Sequence, residues 1–400
     1  MTKIVSKKLS PDRQTFSTLL AFALIPLSGF ATDVYIPSLP DMADSLHTSA
    51  SSIQATLAIF LISYGATQLF IGSVLDSYGR YIPNLLALLL FSLASFIIAN
   101  ATSIGIIYAM RAVHGFAVAI IIVSKRSYFV DLFSGEQLKH YTSLFSIVWA
   151  TAPIIAPFLG GFLQVAFGWQ ANFYFLGLLA IILFVLELFF SGETLRIFET
   201  FSFRSISRTY WKMIRTTDFT MGIVVLGLTY GALIVFGMAS PFLIEKTLHY
   251  PAVATGNISL ISGLAVLGGG MISKLLLKKT FQKKLIISAV LMIVVAVGIS
   301  LFTLAFSNLY TLIAYVVIIH TSAGFIFNNM LSYCLIRFPN SAGKAGGLAG
   351  GGFSIVTSIF SYLLADMIGI QTQAFLGVAY TILALGTLLL LVFTPWKSDY

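Results

Sequence analysis

Asp33, Arg111, His114 and His320 stand inside long apolar runs of a 400-residue chain, and that setting makes them candidates for chemistry. An ionisable side chain surrounded by hydrocarbon costs free energy unless it is paired or wet, so such residues mark routes for ions and substrates. A carboxylate there can take and release a proton, an arginine can respond to the change of charge, and a histidine can titrate near neutral pH. Depth limits which of them can meet. At about 1.5 Å of rise per residue, Asp33 lies roughly 25 Å from the surface where its run begins, in a hydrocarbon layer about 30 Å thick. Arg111 lies roughly 10 Å from the opposite surface. Both fall in the same half, so an Asp33–Arg111 charge pair that opens when the carboxyl is protonated is expected. His114 and His320 fall at matching depths of roughly 15 Å, near the midplane. There they either face a shared space or sit as two separate hydrogen-bonded core residues.

Other groups carry weaker signals. Asp76 and Arg80 in Gly72-Ser-Val-Leu-Asp76-Ser-Tyr-Gly79-Arg80 read as a charge latch that breaks when helices rock, or as a solvated tight turn. Ala152, Ala156 and Gly160 form a small-residue stripe with Pro153, Pro157 and Gly161 beside it, which permits close helix approach and a kink. Tyr35, Trp149, Tyr230, Asn328 and Asn329 could line a cavity for an amphipathic ligand or simply pack. Glu187 and Asp366 are expected to reach the headgroups at their ends of the layer. The run from Gly343 to Gly352 lacks the phosphate-loop pattern. With five His, one Cys and no nucleophile elbow or dinucleotide fingerprint, neither metal, cofactor nor enzymatic activity is expected.

The elements that hold these residues follow from composition. Apolar residues make up 58% of the chain and charged ones 9%, which is too little charge for a water-exposed surface. Reading for runs of about 20 apolar residues gives twelve spans. They cover approximately 16–36, 52–74, 83–101, 104–124, 141–165, 171–190, 219–243, 254–275, 284–305, 309–334, 344–368 and 374–394. The net charge of +9 then resolves into topology: 21 of the 23 Lys and Arg fall in segments on one side, Lys246 falls on the other, and Arg111 is the cation within a span. Positive residues collect on the cytoplasmic side. Both ends are therefore expected inside, in a bacterial inner membrane, and no nucleic-acid partner is expected. The chain divides into a tail 1–15, a six-helix bundle 16–190, a cytoplasmic loop 191–218, a second bundle 219–394 and a tail 395–400. Gly65 and Gly72 repeat as Gly263 and Gly270, a faint echo between halves that implies a central cavity opened alternately from each side.

The segment containing Gly72, Asp76, Gly79 and Arg80 resembles the loop signature of the major facilitator superfamily. Met110-Arg111-Ala-Val-His114-Gly115 resembles its fourth-span motif, with His114 in place of a glutamine. Span five is similar to the superfamily's antiporter motif at Pro157, Gly160 and Gly161, with alanines at 152 and 156 where glycines are usual. Asp33-Val-Tyr35-Ile-Pro37-Ser-Leu-Pro40 is similar to the end of the first span in the Bcr/CflA group of drug-resistance transporters. The resemblance implies an all-α membrane protein with two pseudo-symmetric six-helix bundles. It also implies proton-coupled efflux of small amphipathic compounds by a monomer, driven by the proton gradient. An exporter or importer of a native metabolite, or a receptor without transport, are the alternatives.

Overall fold

Twelve helices in a computed structural model of the chain, which describes residues 7–276 and 278–397, are long and apolar enough to cross a membrane. Spans 1 to 6 are Pro11–Ser45, Ala50–Tyr78, Tyr81–Ala99, Ile104–Leu132, Gly135–Phe167 and Gln170–Phe190. Spans 7 to 12 are Thr217–Thr247, Ala252–Leu275, Phe281–Thr303, Leu309–Ile336, Ala342–Ile368 and Gln373–Phe393. A further helix, Phe203–Ile214, lies in the connection between the halves and packs on spans 7 and 11. Lys3 of the basic tail and residues 398–400 of the other tail lie outside the described residues.

Several spans overrun their apolar segments at the end rich in Lys and Arg, called here the basic end. Span 4 continues to Leu132 rather than stopping at residue 124, and span 5 begins at Gly135 rather than 141. Lys, Arg, Glu and Gln favour helices, so a charged residue ends an apolar run without ending the helix. The prolines of the first span likewise do not stop it. Pro37 opens a 3-10 turn, Ile36–Ser38, and Pro40 lies in the first turn of a short helix, Leu39–Ser45. Both positions tolerate a residue without an N–H.

Pairing repeats with an offset of six spans. Spans 2 and 4 pack as 8 and 10 do, 3 and 6 as 9 and 12, and 1 and 5 as 7 and 11. Spans 3, 6, 9 and 12 turn Leu93, Ile182, Val294 and Leu389 outward, each more than half exposed, as a lipid-facing surface requires. The two halves meet along two seams, span 2 against 11 and span 5 against 8. In the first, a methyl group on Gly65 would come within 2.6 Å of the Gly351 carbonyl oxygen, and one on Gly351 within 2.5 Å of the Gly65 oxygen. In the second, a methyl on Gly256 would meet the Pro157 carbonyl oxygen at 2.6 Å, and one on Gly263 the Ile154 side chain at 2.5 Å. Gly65 and Gly263 are thus equivalent seam contacts. Gly72 has open space around it and Gly270 faces Asn328, so that pair of the echo has no shared packing role.

Candidate functional site

The site begins with a break. Span 1 is α-helical from Leu27 to Asp33, passes through Val34 and Tyr35, and resumes at Ile36. The last carbonyls of such a segment have no donors from their own helix. Arg111 of span 4 supplies one: its Nη1 donates to the Ala31 oxygen at 2.8 Å, and its Nε donates to the Thr56 oxygen of span 2 at 3.4 Å. The guanidinium also lies between the Tyr35 and Phe60 rings, 4.6 and 4.5 Å from their centroids. A cation at a helix C-terminus complements the helix dipole, and desolvated ring contacts add about 2 kcal/mol. Arg111 is fully buried in this arrangement.

The expected Asp33–Arg111 pair is not formed. No ion pair within 4 Å joins them, although the two lie within Coulombic range. Depth placed them correctly in one half, but the direction of each side chain around its helix decided the partner. Asp33 is 7% exposed and has no hydrogen-bond or ion-pair partner among the described residues. The group it approaches across the bundle boundary is Tyr230 of span 7, which is also within Coulombic range. Tyr230 packs against Phe327 of span 10 and Phe353 of span 11, with ring centroids 5.6 and 5.7 Å away, and those two rings are 5.4 Å apart. An unpaired carboxylate of the first half thus lies within Coulombic range of Tyr230, which belongs to an aromatic cluster of the second half.

Gly160 makes the break possible. A Cβ there would lie 2.7 Å from the Val34 carbonyl carbon and closer still to its oxygen. Ala152 meets Gly29 of the same span, so the stripe 152–156–160 faces span 1, while Gly161 faces span 8 at Ala252. Pro153 and Pro157 both sit inside one uninterrupted helix.

Three expected cavity residues turn inward. Tyr35 is fully buried, stacks under Arg111 and shares a hydrogen bond with Thr56 at 2.9 Å. His114 bonds Ser95 at 2.9 Å and Arg111 at 3.3 Å. His320 bonds Ser262 at 2.7 Å and Tyr380 at 3.1 Å. Both histidines are completely buried within their own bundles, so they are separate core residues rather than a pair across a cavity. Trp149 and Tyr230 are half-buried. Asn328 is exposed beside Gly270, whereas Asn329 is buried and donates to the Phe325 oxygen.

At the basic end the latch is a network within the first half and its linker. Arg80 reaches Asp76 at 3.2 Å and Asp131 of span 4 at 2.6 Å. Glu193 accepts from the Arg80 and Tyr81 backbone N–H groups at 2.9 and 3.1 Å, capping span 3, and Thr194 donates to Asp131. Gly79, at φ +91°, turns the loop in a conformation that side chains disfavour. From the second half, Lys344 lies within Coulombic range of Asp76. Asp131 and Glu193 were not singled out from sequence, nor was Asp218, which holds Arg337 at 2.8 Å and Tyr333 at 2.6 Å in the second half. Glu187 does not reach a headgroup: it is fully buried and pairs with Lys125 at 2.7 Å. Lys125 is therefore a second cation inside a bundle.

At the opposite end contacts cross between the halves. Asp44 pairs with Lys246, Gln54 donates to the Met238 oxygen at 2.8 Å, and Ser51 bonds Asp366 and Tyr362. The far end is closed.

Two like bundles around a broken helix with a buried carboxylate describe a transporter architecture, and the family model of the Major Facilitator Superfamily matches residues 21–361. The chain belongs to the Major Facilitator Superfamily. It is 26% identical to the uncharacterized MFS-type transporter YdgK of Bacillus subtilis, over 90% of each chain. It is 24% identical to the multidrug resistance protein MdtL of Shewanella sp. over 93% of each. Against the bicyclomycin resistance protein homolog of Haemophilus influenzae it is 32% identical over 46% of this chain and 47% of the other. Solved structures of a D-xylose-proton symporter and the nucleoside transporter NupG match with TM-scores of 0.71 each. The symporter is 16% identical and covers 93% of this chain and 97% of its own, and NupG is 14% identical with 95% and 98%. At that identity the likeness is one of fold. The chain is an integral multi-pass membrane transporter, and the names of its relatives support the resemblance to Bcr/CflA-type drug transporters.

Proposed function

We propose that this chain is a monomeric, proton-coupled exporter of small amphipathic compounds, working by alternating access in a bacterial inner membrane with both termini in the cytoplasm. The observation that carries the reading is Asp33: a buried carboxylate without a partner among the described residues, at a helix break, within Coulombic range of Tyr230 of the opposite half. Protonation removes its charge and with it the cost of enclosing that charge between the bundles. The protonated form then favours the rearrangement that closes the aromatic space, and loss of the proton favours its reopening. Arg111 sets the field at Asp33 while its own hydrogen bonds to backbone hold it in place. The basic end, with 21 of the 23 Lys and Arg, faces the cytoplasm in this reading. Contacts of Asp44 with Lys246 and of Gln54 with Met238 hold the far end together, and in this reading they part when substrate leaves on that side.

The test is counterflow in proteoliposomes under an imposed pH gradient, with bicyclomycin as the probe because a relative carries that name. Bicyclomycin-dependent proton flux that Asp33→Asn abolishes, while binding persists, is the expected result. Full pH-driven transport by Asp33→Asn would sink the coupling role, and downhill uptake of solutes alone would sink export.

A further inference from the structure

The helix between the halves, Phe203–Ile214, has a surface that neither bundle uses. At 100° per residue its side chains fall into three sectors. Ile206 and Met213 are buried, and Tyr210 beside them approaches Gly347 of span 11, so this sector is the protein-facing one. Burial pushes the Tyr210 hydroxyl up to about 12. The next sector carries Phe203, Trp211 and Ile214, which are 71%, 58% and 45% exposed. The third carries Arg204, Arg208, Lys212 and, just past the helix, Arg215, all exposed. Among the described residues no carboxylate pairs with any of these four cations.

Each sector specifies its surroundings. The buried one fixes the helix against the first turns of spans 7 and 11 at the basic end, with Tyr210 beside Gly347. An aromatic sector next to a basic one suits the boundary between acyl chains and headgroups. Where the two meet, Phe203, Arg204, Ser207, Arg208 and Trp211 form one shallow, open face. Its aromatic side chains suit a glycerol backbone and acyl start, and its two guanidinium groups suit a phosphodiester by bidentate hydrogen bonding. Arg215 lies 4.6 Å over the Trp211 ring, which joins the basic and apolar sectors into one surface.

We propose that this helix is a seat for anionic phospholipid of the leaflet at the basic end, with Arg204 and Arg208 on the phosphate and Phe203 and Trp211 against the apolar part. The occupant is lipid rather than a soluble polyanion because the sector beside the cations is large, apolar and exposed at Phe203, Trp211 and Ile214.

The full-length protein is reconstituted into vesicles containing either brominated phosphatidylglycerol or brominated phosphatidylcholine, and tryptophan fluorescence is followed. Bromine quenches on contact, and Trp211→Phe identifies the part of the signal that belongs to this helix. Half-quenching of that part by the anionic lipid is expected at a mole fraction about thirtyfold lower than by the zwitterionic one, which is the factor for two cations at about 1 kcal/mol each. Arg204→Gln with Arg208→Gln, both exposed and in no ion pair among the described residues, is expected to bring the ratio to within about twofold. Equal quenching by the two lipids in the unmodified protein overturns the proposal. So does a preference that survives the double substitution, and so does a Trp211 signal that neither lipid quenches. Because the readout is fluorescence, its failure and a failure of the transport reading are distinguishable.

Discussion

Gly160→Ala places one carbon atom where span 5 crosses the break in span 1. The new Cβ would lie 2.7 Å from the Val34 carbonyl carbon, against 3.4 Å for ordinary contact, so the two backbones must part by about 0.7 Å or more. Neither side can yield cheaply, since the obstacle is backbone and Asn172 Oδ1 crowds the same carbon at 3.3 Å. Forcing extra volume into a packed core costs about 1–3 kcal/mol, against which alanine gains about 0.8–1.0 kcal/mol over glycine as a helix former. Gly298→Ala supplies the helix term alone, because nothing lies within 4 Å of a Cβ there. The difference between the two variants isolates the crossing and is expected at about 1–3 kcal/mol in unfolding midpoints measured in micelles. The displaced residue is the neighbour of Asp33. Misplacement of a reacting group by about 1 Å costs on the order of 100-fold in rate, so pH-driven transport should fall at least tenfold in Gly160→Ala and hold in Gly298→Ala. A Gly160→Ala protein as stable and active as Gly298→Ala would refute the close crossing and the positioning role built on it.

Lys125→Met or Glu187→Met alone should destabilise by about 3–5 kcal/mol, because each strands a buried charge, while the double substitution returns close to the parent; a double-mutant cycle of unfolding midpoints measures this. Arg111→Lys keeps the charge but cannot serve the Ala31 and Thr56 carbonyls and two ring faces at once, and transport should be lost; full activity would show that charge alone matters. Lys246→Gln should cost under about 1 kcal/mol in stability, since both partners are more than half exposed. The same change should lengthen spin-label distances across the far end, and an unmoved distance distribution would exclude Asp44–Lys246 from the closure.

Sequence revealed the fold where one-dimensional quantities decide it. Run length gives the spans, charge counting separates their two ends, and the long connection after span 6 divides the halves. Depth is also one-dimensional, which is why Asp33 and Arg111 were placed in the same half. What depth leaves open is direction around the helix axis, and every partner that sequence missed or misassigned depends on it. Lys125 and Glu187 are 62 residues apart; Glu187 was expected at the headgroups and Lys125 falls just past the end of its apolar run, and only the directions of the two helix faces bring them together inside the bundle. Arg111 illustrates the point most fully. An unpaired arginine in hydrocarbon invites a search for a carboxylate, and Asp33 was available at the right depth. Yet a broken helix offers partial negative charge of its own, since its last carbonyls have no intrahelical donors. Arg111 takes the Ala31 carbonyl and leaves the carboxylate two residues on without a partner. An Asp33 locked in an ion pair would need that pair broken before it could accept a proton. With the arginine satisfied by backbone, the carboxylate lies near a positive charge without being tied to it, and the break in span 1 at Val34 and Tyr35 is what makes this division possible.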